Sequence, residues 1–220
     1  MACGTGRVTK HLLAKVAENG TLIATDLNAD MIEIAKTKVQ DQRVVWKIAD
    51  AQELPFEDSY FDLVLCQFGV MFFPDKEKAF SEAHRVLKDE GQFLFNKWKD
   101  VKFNALADCT QQVMNELFSD NPSFFEKGPY TFFDHQKIKR LLKRANFNKI
   151  AIDEVPLSIK VPSFEDAIIG ILDGTPLSSY IAERNVPKEI IKQRLKEVLT
   201  TSFGAKMELP MSALVCMAKK

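Results

Sequence analysis

The chain has 220 residues and a mass of 25.0 kDa. A domain of that size buries roughly 70% of the surface its unfolded chain exposes, so it needs neither disulfides nor a metal to hold it together. Thirty Lys and Arg against thirty Asp and Glu give zero net charge and a pI near 6.8, without the positive field that draws a protein to nucleic acid or an anionic membrane. Cys3, Cys66, Cys109 and Cys216 are far apart with no C-x-x-C pair, which argues against a zinc site or a redox dithiol and fits reduced thiols in a cytoplasmic setting. The longest apolar run, 61–73, is interrupted by Asp62 and Gln67 and is too short for a membrane span. No secretory signal is expected at the N-terminus, and Asn121-Pro122-Ser123 is not a glycosylation sequon because of its central proline.

Helical and extended patterns alternate from the start. Residues 7–18 carry apolar positions at 8, 12, 13, 16 and 17, one face of a helix that Asn19-Gly20 stops. Residues 21–25 predict a buried strand ending at Asp26. Asn28 is placed to cap a helix through Lys38, with Met31, Ile32, Ala35 and Val39 inward. Residues 44–48 and 61–66 predict two more strands, and 75–87 a helix whose end is marked by Lys88-Asp89-Glu90-Gly91 before a strand over 92–98. This β-α-β-α rhythm predicts a mainly parallel sheet with its ligand at the strands' carboxyl ends.

Beyond Trp98 the rhythm changes. Residues 101–119 read as helix, and 120–135 as an irregular stretch with five aromatic residues. A helix over 135–145, a strand over 149–159, helices across 163–199 broken at 173–176 and at Pro187, and a last strand over 212–218 complete the chain. The expected fold class is α/β, a mainly parallel sheet with an antiparallel last strand and a helical insertion over 160–209 before it. We read 1–220 as a single domain, with a ligand-binding half over 1–100 and a second half over 101–220.

The informative motif is Ala2-Cys3-Gly4-Thr5-Gly6, leading straight into a helix. A G-x-G turn at a helix start lets backbone approach a ligand closely, since glycine has no Cβ and tolerates positive φ. Thr9 stands where a dinucleotide fingerprint needs a third Gly or Ala, and no G-K-[ST] follows, so neither a dinucleotide nor a phosphate loop is written. The turn suits a nucleoside ligand without a pyrophosphate. Asp26 ends the next strand, twenty residues after Gly6, where a carboxylate can accept both hydroxyls of a ribose; the alternative is a strand-end turn residue. Asp50-Ala51 follows the third strand and could read an adenine edge, or Asp50 could cap the turn before Leu54-Pro55.

Together with Asp26, the motifs A-C-G-T-G (2–6), A-D-A-Q-E-L-P-F (49–56), F-D-L-V-L-C (61–66) and H-R-V-L-K-D-E-G (84–91) resemble class I S-adenosylmethionine-dependent methyltransferases, in particular the small-molecule group that includes ubiquinone and menaquinone biosynthesis methyltransferases. The ordered motifs cover 2–98, and 141–147 and the closing residues are similar to later elements of that group. The resemblance implies a Rossmann-like fold with S-adenosyl-L-methionine as cofactor. Gly4 and Gly6 would line its methionine end, Asp26 would hold the ribose, Leu27 and Met31 would pack on adenine, Asp50 and Ala51 would read its edge, and Gln67 and Phe68 would border the reacting centre. Met31 equally fits the core face of its helix. In that family an entire strand ending in an acidic residue precedes the glycine turn. Here Met1 stands directly before Ala2, so the strands ending at Asp26 and Cys66 are expected to face each other across an absent ladder about 4.8 Å wide on each side, as in a truncated gene product.

No other cluster competes. His11, His84 and His135 are separated, and neither G-x-S-x-G nor H-E-x-x-H occurs. The charged segment 188–197 reads as a solvated helix face. The expected activity is methyl transfer to a small, partly apolar acceptor; the alternative is a non-catalytic nucleoside-binding fragment acting through partners. The partner is a small-molecule acceptor, with no nucleic acid and no membrane span. No catalytic residue is assigned, because such a displacement can run on placement in a dry pocket; His135 is the one candidate base, with helix capping as its alternative. Acceptor choice is expected in 101–135 and 160–209. There Phe118, Phe124, Phe125, Phe132, Phe133, Phe164, Ile168 and Leu172 could wall a pocket beside Phe68, or fill an ordinary core. Gly4, Gly6, Asp26, Asp50 and Gln67 are expected around one cavity.

Overall fold

The computed structural model describes residues 1–118, 125, 128–184 and 186–220. The elements are α1 (Arg7–Leu13), β1 (Leu22–Asp26), α2 (Ala29–Lys38), β2 (Val44–Ile48), β3 (Phe61–Gln67), α3 (Lys76–Val86), β4 (Leu87–Trp98), α4 (Ala105–Leu117), α5 (His135–Arg144), β5 (Asn148–Lys160), α6 (Phe164–Asp173), α7 (Leu177–Ala182), α8 (Lys188–Phe203) and β6 (Glu208–Lys219). Their order is that of an α/β protein, and the chain divides into two compact units. One holds Met1–Lys97, Asp134–Asp153 and Val215–Lys220, the other Trp98–Phe133 and Glu154–Leu214.

The strands form two separate sheets. β1 and β2 pair in parallel from Leu22↔Val44 to Asp26↔Ile48. The second sheet has the order β3-β4-β6-β5, with β3 parallel to β4 from Leu63↔Gln92 to Gln67↔Asn96. β6 runs antiparallel to β4: Lys220 N–H donates to Gly91 O at 3.0 Å at one end, and Lys99 N–H to Ser212 O at 3.0 Å at the other. The expected split between the strands ending at Asp26 and Cys66 is therefore present as a break in the sheet.

In the first unit α2 behaves as its sequence dictates. The Asn28 side chain accepts from the N–H groups of Asp30 and Met31, and Ile32 and Ala35 are buried. Met31 departs from expectation: it is 39% exposed, because it lies about 100° round the helix from Ile32, off the narrow inward stripe. The first helix also ends early. α1 stops at Leu13, and the N–H groups of Lys15 and Val16 both turn back to Leu12 O. Val8 and Leu12 of this helix, and Val16 beyond it, line a cavity instead of packing on a core, and a seven-residue helix has little to extend it without tertiary packing. On the other side of the break, Phe80, Phe93, Phe95, Phe147 and His84 form one aromatic cluster, with ring centroids 4.9 Å apart for Phe93–Phe95 and 5.1 Å for His84–Phe147.

The helix expected over 75–87 ends at Val86, but residues 88–91 are part of the following strand and form no break before it. Leu87 is already extended after α3, and β4 starts there, with a register irregularity opposite Phe61/Leu63 and Glu90 at φ 64°. Lys88 Nζ holds Asp62 Oδ1 at 2.9 Å, which keeps the charged segment on the strand partner. The cap of α5 is Asp134, whose Oδ1 accepts from the N–H groups of Gln136 and Lys137; His135, the suggested cap, is the helix's first residue.

A polar staple from α3 fixes the loop after β2. Arg85 donates to the carbonyls of Phe56 (2.7 Å) and Leu54 (2.9 Å) and to Asp58 (2.8 Å), while Glu82 Oε2 accepts the Leu54 N–H at 2.8 Å. The Arg85 guanidinium, 2.7 Å from Glu82 Oε1, together with the Leu54 amide holds the Glu82 carboxyl below its ordinary 4.5. A depressed folded-state pKa contributes stability that is present above the unfolded value and lost as pH falls through the folded one. Urea midpoints are thus expected to fall below about pH 4.5, and Glu82→Gln is expected to flatten that part of the profile. A titration of the urea midpoint on both proteins checks this.

The second unit is helical around one core. Val113, Met114, Leu172, Leu177, Ile191, Leu195 and Leu199 are fully or almost fully buried. Phe125, Phe164 and Ile168 belong to this core and Phe132 is also buried, whereas Phe118 is half-buried under Arg184 and Phe133 is exposed. Most of the proposed pocket wall is therefore core, since aromatic and branched side chains spaced along helices bury against one another. Phe124, and nearly all of the stretch expected to be irregular before Gly128, lie outside the described residues.

Candidate functional site

The site begins where the glycine turn meets the end of β1. Gly4 (φ +52°) and Gly6 (φ +75°) are left-handed, and Gly6 is the residue before α1. Their roles differ. A Cβ on Gly4 would meet nothing within 4 Å, so this glycine supplies backbone conformation and leaves open space beside it. A Cβ on Gly6 would come within 3.1 Å of Ala35 and 3.3 Å of Trp46, so Gly6 lets the turn pack tightly onto α2 and β2.

Asp26 ties the turn to the strand. Its Oδ2 accepts the Gly4 N–H at 2.8 Å and its Oδ1 the Asn28 N–H at 2.9 Å. Each oxygen keeps a second lone pair for a ligand hydroxyl. Leu27 and Met31, just beyond, are 69% and 39% exposed, an apolar surface open for an aromatic ring. Asp50 lies at the same edge, since Ala49 N–H donates to Asp26 O at 3.1 Å. Its carboxylate accepts from Gln52 N–H at 2.8 Å and from the Gln52 amide at 3.2 Å, which is the turn-capping arrangement, and Ala51 is buried behind it.

The carboxyl end of β3 arrives on the same side. Met1 N donates to Leu65 O at 2.7 Å and Cys3 N–H to Thr25 O at 2.9 Å. Three residues span at most about 10 Å, so the ends of β1 and β3 are neighbours. Gln67 ends β3 exposed, and Phe68 follows at φ 51°, where its N–H donates to Asn96 O (3.1 Å) and Asn96 Oδ1 (2.9 Å). A non-glycine residue there is strained by an amount of order 1–3 kcal/mol, and the Asn96 pair holds it. Ala2, at φ 49°, faces Gly69: a Cβ on Gly69 would lie 2.5 Å from Ala2 Cβ and 2.7 Å from Cys66 Sγ. Asn96, Gly69, Glu82 and Arg85 escaped the sequence reading. Arg85 stands in a quoted motif, but nothing in the pattern says which loop its guanidinium reaches.

The expected common cavity is corrected in part. The cavity between β1 and β3, about 460 Å³, takes Gly4 and Gln67 into its lining, while Gly6, Asp26 and Asp50 stand at the carboxyl edge outside it. The thiols are inert in this setting. Burial and the nearby Asp26 charge push Cys3 up to about 11, and burial raises Cys66 and takes Cys109 to about 11 and Cys216 to about 12, so none is a thiolate nucleophile near neutral pH. Among the described residues no group of three or more His, Cys, Asp or Glu is placed to hold a metal ion, and no helix is long and apolar enough to cross a membrane.

A glycine turn bonded to an acidic strand end, at the carboxyl edge of parallel strands and followed by an antiparallel last strand, defines a Rossmann-like methyltransferase fold. The family described as a methyltransferase domain matches residues 1–95. A ubiquinone/menaquinone biosynthesis C-methyltransferase of Rickettsia felis is 36% identical over 168 residues, 69% of this chain and 68% of that protein. One of Proteus mirabilis is 29% identical over 167 residues, 69% of this chain and 66% of the relative. The chain belongs to the class I S-adenosylmethionine-dependent methyltransferases of the small-molecule group, and it spans about two thirds of the length of the relatives it matches. Phosphoethanolamine N-methyltransferase 2 of Haemonchus contortus, solved with phosphomonomethylethanolamine and S-adenosylhomocysteine, shares the fold at a TM-score of 0.61 and 18% identity, over all of this chain and 48% of that one.

Proposed function

We propose that the protein binds S-adenosyl-L-methionine at the Gly4–Asp26 edge and transfers its methyl group to a small, partly apolar acceptor. The observation that carries this is the 2.8 Å bond from Gly4 N–H to Asp26. It fixes a carboxylate beside a stretch of backbone that has open space next to it, the pairing a nucleoside needs for its ribose and its tail. When bound, the cofactor supplies an electrophilic methyl carbon on a sulfonium. The chain's own residues position. Asp26 accepts the ribose hydroxyls through its remaining lone pairs, Leu27 and Met31 cover one face of the adenine, and Asp50 with Ala51 meets its edge. Gly4 and Gly6 shape the turn for the methionine part, while Gln67 and Phe68 border the reacting centre.

The names of the relatives support a quinone-type ring as acceptor, methylated at carbon. In this reading residues 1–220 act as one methyltransferase domain, with the cofactor residues in 1–100 and the acceptor determinants in 101–220. All four cysteines are free, which supports a cytoplasmic setting.

Incubation with methyl-labelled S-adenosylmethionine and a hydroxylated aromatic ring bearing a short isoprenoid tail is expected to label the ring at carbon. Calorimetry with S-adenosylhomocysteine is expected to show one site per chain. Binding without transfer to any acceptor would favour the non-catalytic alternative, and absence of binding would overturn both.

A further inference from the structure

The last rung of the β3/β4 ladder pairs Gln67 with Asn96 at the carboxyl edge. One residue further on, the Phe68 N–H donates to both oxygens of Asn96, the backbone O at 3.1 Å and the side-chain Oδ1 at 2.9 Å. That second bond fixes the carboxamide. An N–H can be met only by the amide's oxygen, so Nδ2 is turned away from Phe68 with its two hydrogens. Among the described residues Nδ2 makes no hydrogen bond, and it is not one of the buried atoms left without a partner. Asn96 is half-buried, so these donors are open to solvent at the edge where β3 and β4 end.

The residue type points the same way. Asparagine is disfavoured within strands, and Leu94, two residues earlier on the same face of β4, is apolar. If the only duty of this side chain were to hold the Phe68 N–H in its left-handed turn, at φ 51°, a carboxylate would hold it better, because a charged acceptor makes the stronger bond. What the amide has and a carboxylate lacks is a pair of donors. Gln67, the register partner, sends a second carboxamide from the same face of the sheet about 4.8 Å away; it is exposed and makes no side-chain hydrogen bond among the described residues. Two uncharged amides, one of them locked with its donors outward, fit an oxygen rich in electron density, such as that of a phenol, a phenolate or a quinone carbonyl.

We propose that Asn96 selects the acceptor: Nδ2 donates to an oxygen on the acceptor's ring while Oδ1 stays on Phe68. This rests on the proposed function for the class of acceptor, and adds to it a residue and the ligand atom that the residue reads. A site built on donors rejects a ring that lacks the oxygen, because the donors then give up water and gain no partner.

The probes are a hydroxylated aromatic ring with a short isoprenoid tail and the same molecule without its ring oxygens. Each is titrated by calorimetry into the full chain saturated with S-adenosylhomocysteine, for the native protein and for Asn96→Asp and Asn96→Ala. The native protein is expected to bind the hydroxylated ring roughly tenfold or more tightly than the other, and both variants to bind the two rings alike. Melting temperature separates the two ends of the amide. Aspartate keeps an oxygen for the Phe68 N–H and is expected to melt with the native protein, while alanine melts about 2–4 °C lower.

Discrimination that survives in either variant would overturn the proposal: in Asn96→Asp it would mean that the residue acts only through Phe68, and in Asn96→Ala that a carboxylate there merely repels the ring. A native protein that binds the two rings alike would overturn it too, and would leave the acceptor reading standing. If neither ring binds the saturated native protein, the acceptor reading falls and this inference with it.

Discussion

Replacing Asp26 with alanine is expected to weaken S-adenosylmethionine binding tenfold or more and to destabilise the first unit. One carboxylate does both jobs. It accepts the Gly4 N–H at 2.8 Å and the Asn28 N–H at 2.9 Å, and a hydrogen bond to a charged group is worth about 1.5–3 kcal/mol where it is partly buried. The Gly4 bond falls in that class. The Asn28 bond, which is exposed, contributes less. Loss of the ribose partner adds its own cost, and each 1.4 kcal/mol is about tenfold in dissociation constant. Calorimetry with S-adenosylhomocysteine and urea unfolding on the same preparation check both halves. Asp26→Asn keeps one accepting oxygen and is expected to fall between the two. An unchanged dissociation constant in a folded alanine variant would remove Asp26 from the site.

Gly69→Ala is the second large effect. The added Cβ would lie 2.5 Å from Ala2 Cβ and 2.7 Å from Cys66 Sγ. Neither is the free end of a flexible side chain: Cys66 is fully buried and Ala2 sits in a strained turn. Overpacking of this kind costs about 1–3 kcal/mol, and relief requires the Met1–Gly4 segment to move away from the end of β3. The urea midpoint should drop and cofactor affinity should fall with it, since the displaced segment carries Gly4. Gly170→Ala is the control. It sits inside α6 with nothing within 4 Å of the new Cβ, and alanine there should stabilise by about 0.5–1 kcal/mol.

Local signals were the legible ones. Asn28 as a cap, the strands at 44–48 and 61–66, and the parallel order that brings Asp26 and Asp50 to one edge follow from spacing and capping chemistry within a few residues. What failed depended on partners distant in the chain. The 7–18 periodicity overran because its apolar face meets a cavity, and Met31 looked inward because a ten-residue helix leaves the width of its buried stripe open. Asp50 was legible both as a ligand group and as a turn cap, and its contact with Gln52, two residues on, makes the cap. Gly69 could not be singled out, because its neighbours Ala2 and Cys66 meet only once β3 has been placed beside the chain's start.

The four protonated thiols carry one more consequence. Cys66 and Cys216 belong to the first unit and Cys109 to the second, and all three are buried. An alkylating reagent attacks the thiolate of an exposed cysteine, so each of these sulfurs reacts only in molecules whose surroundings have opened. Their labelling rates, resolved by peptide mass, are three independent clocks within one chain. A common rate across all three means that the units open as one event; a faster Cys109 or a faster Cys66 times the two events separately, with no engineered probe.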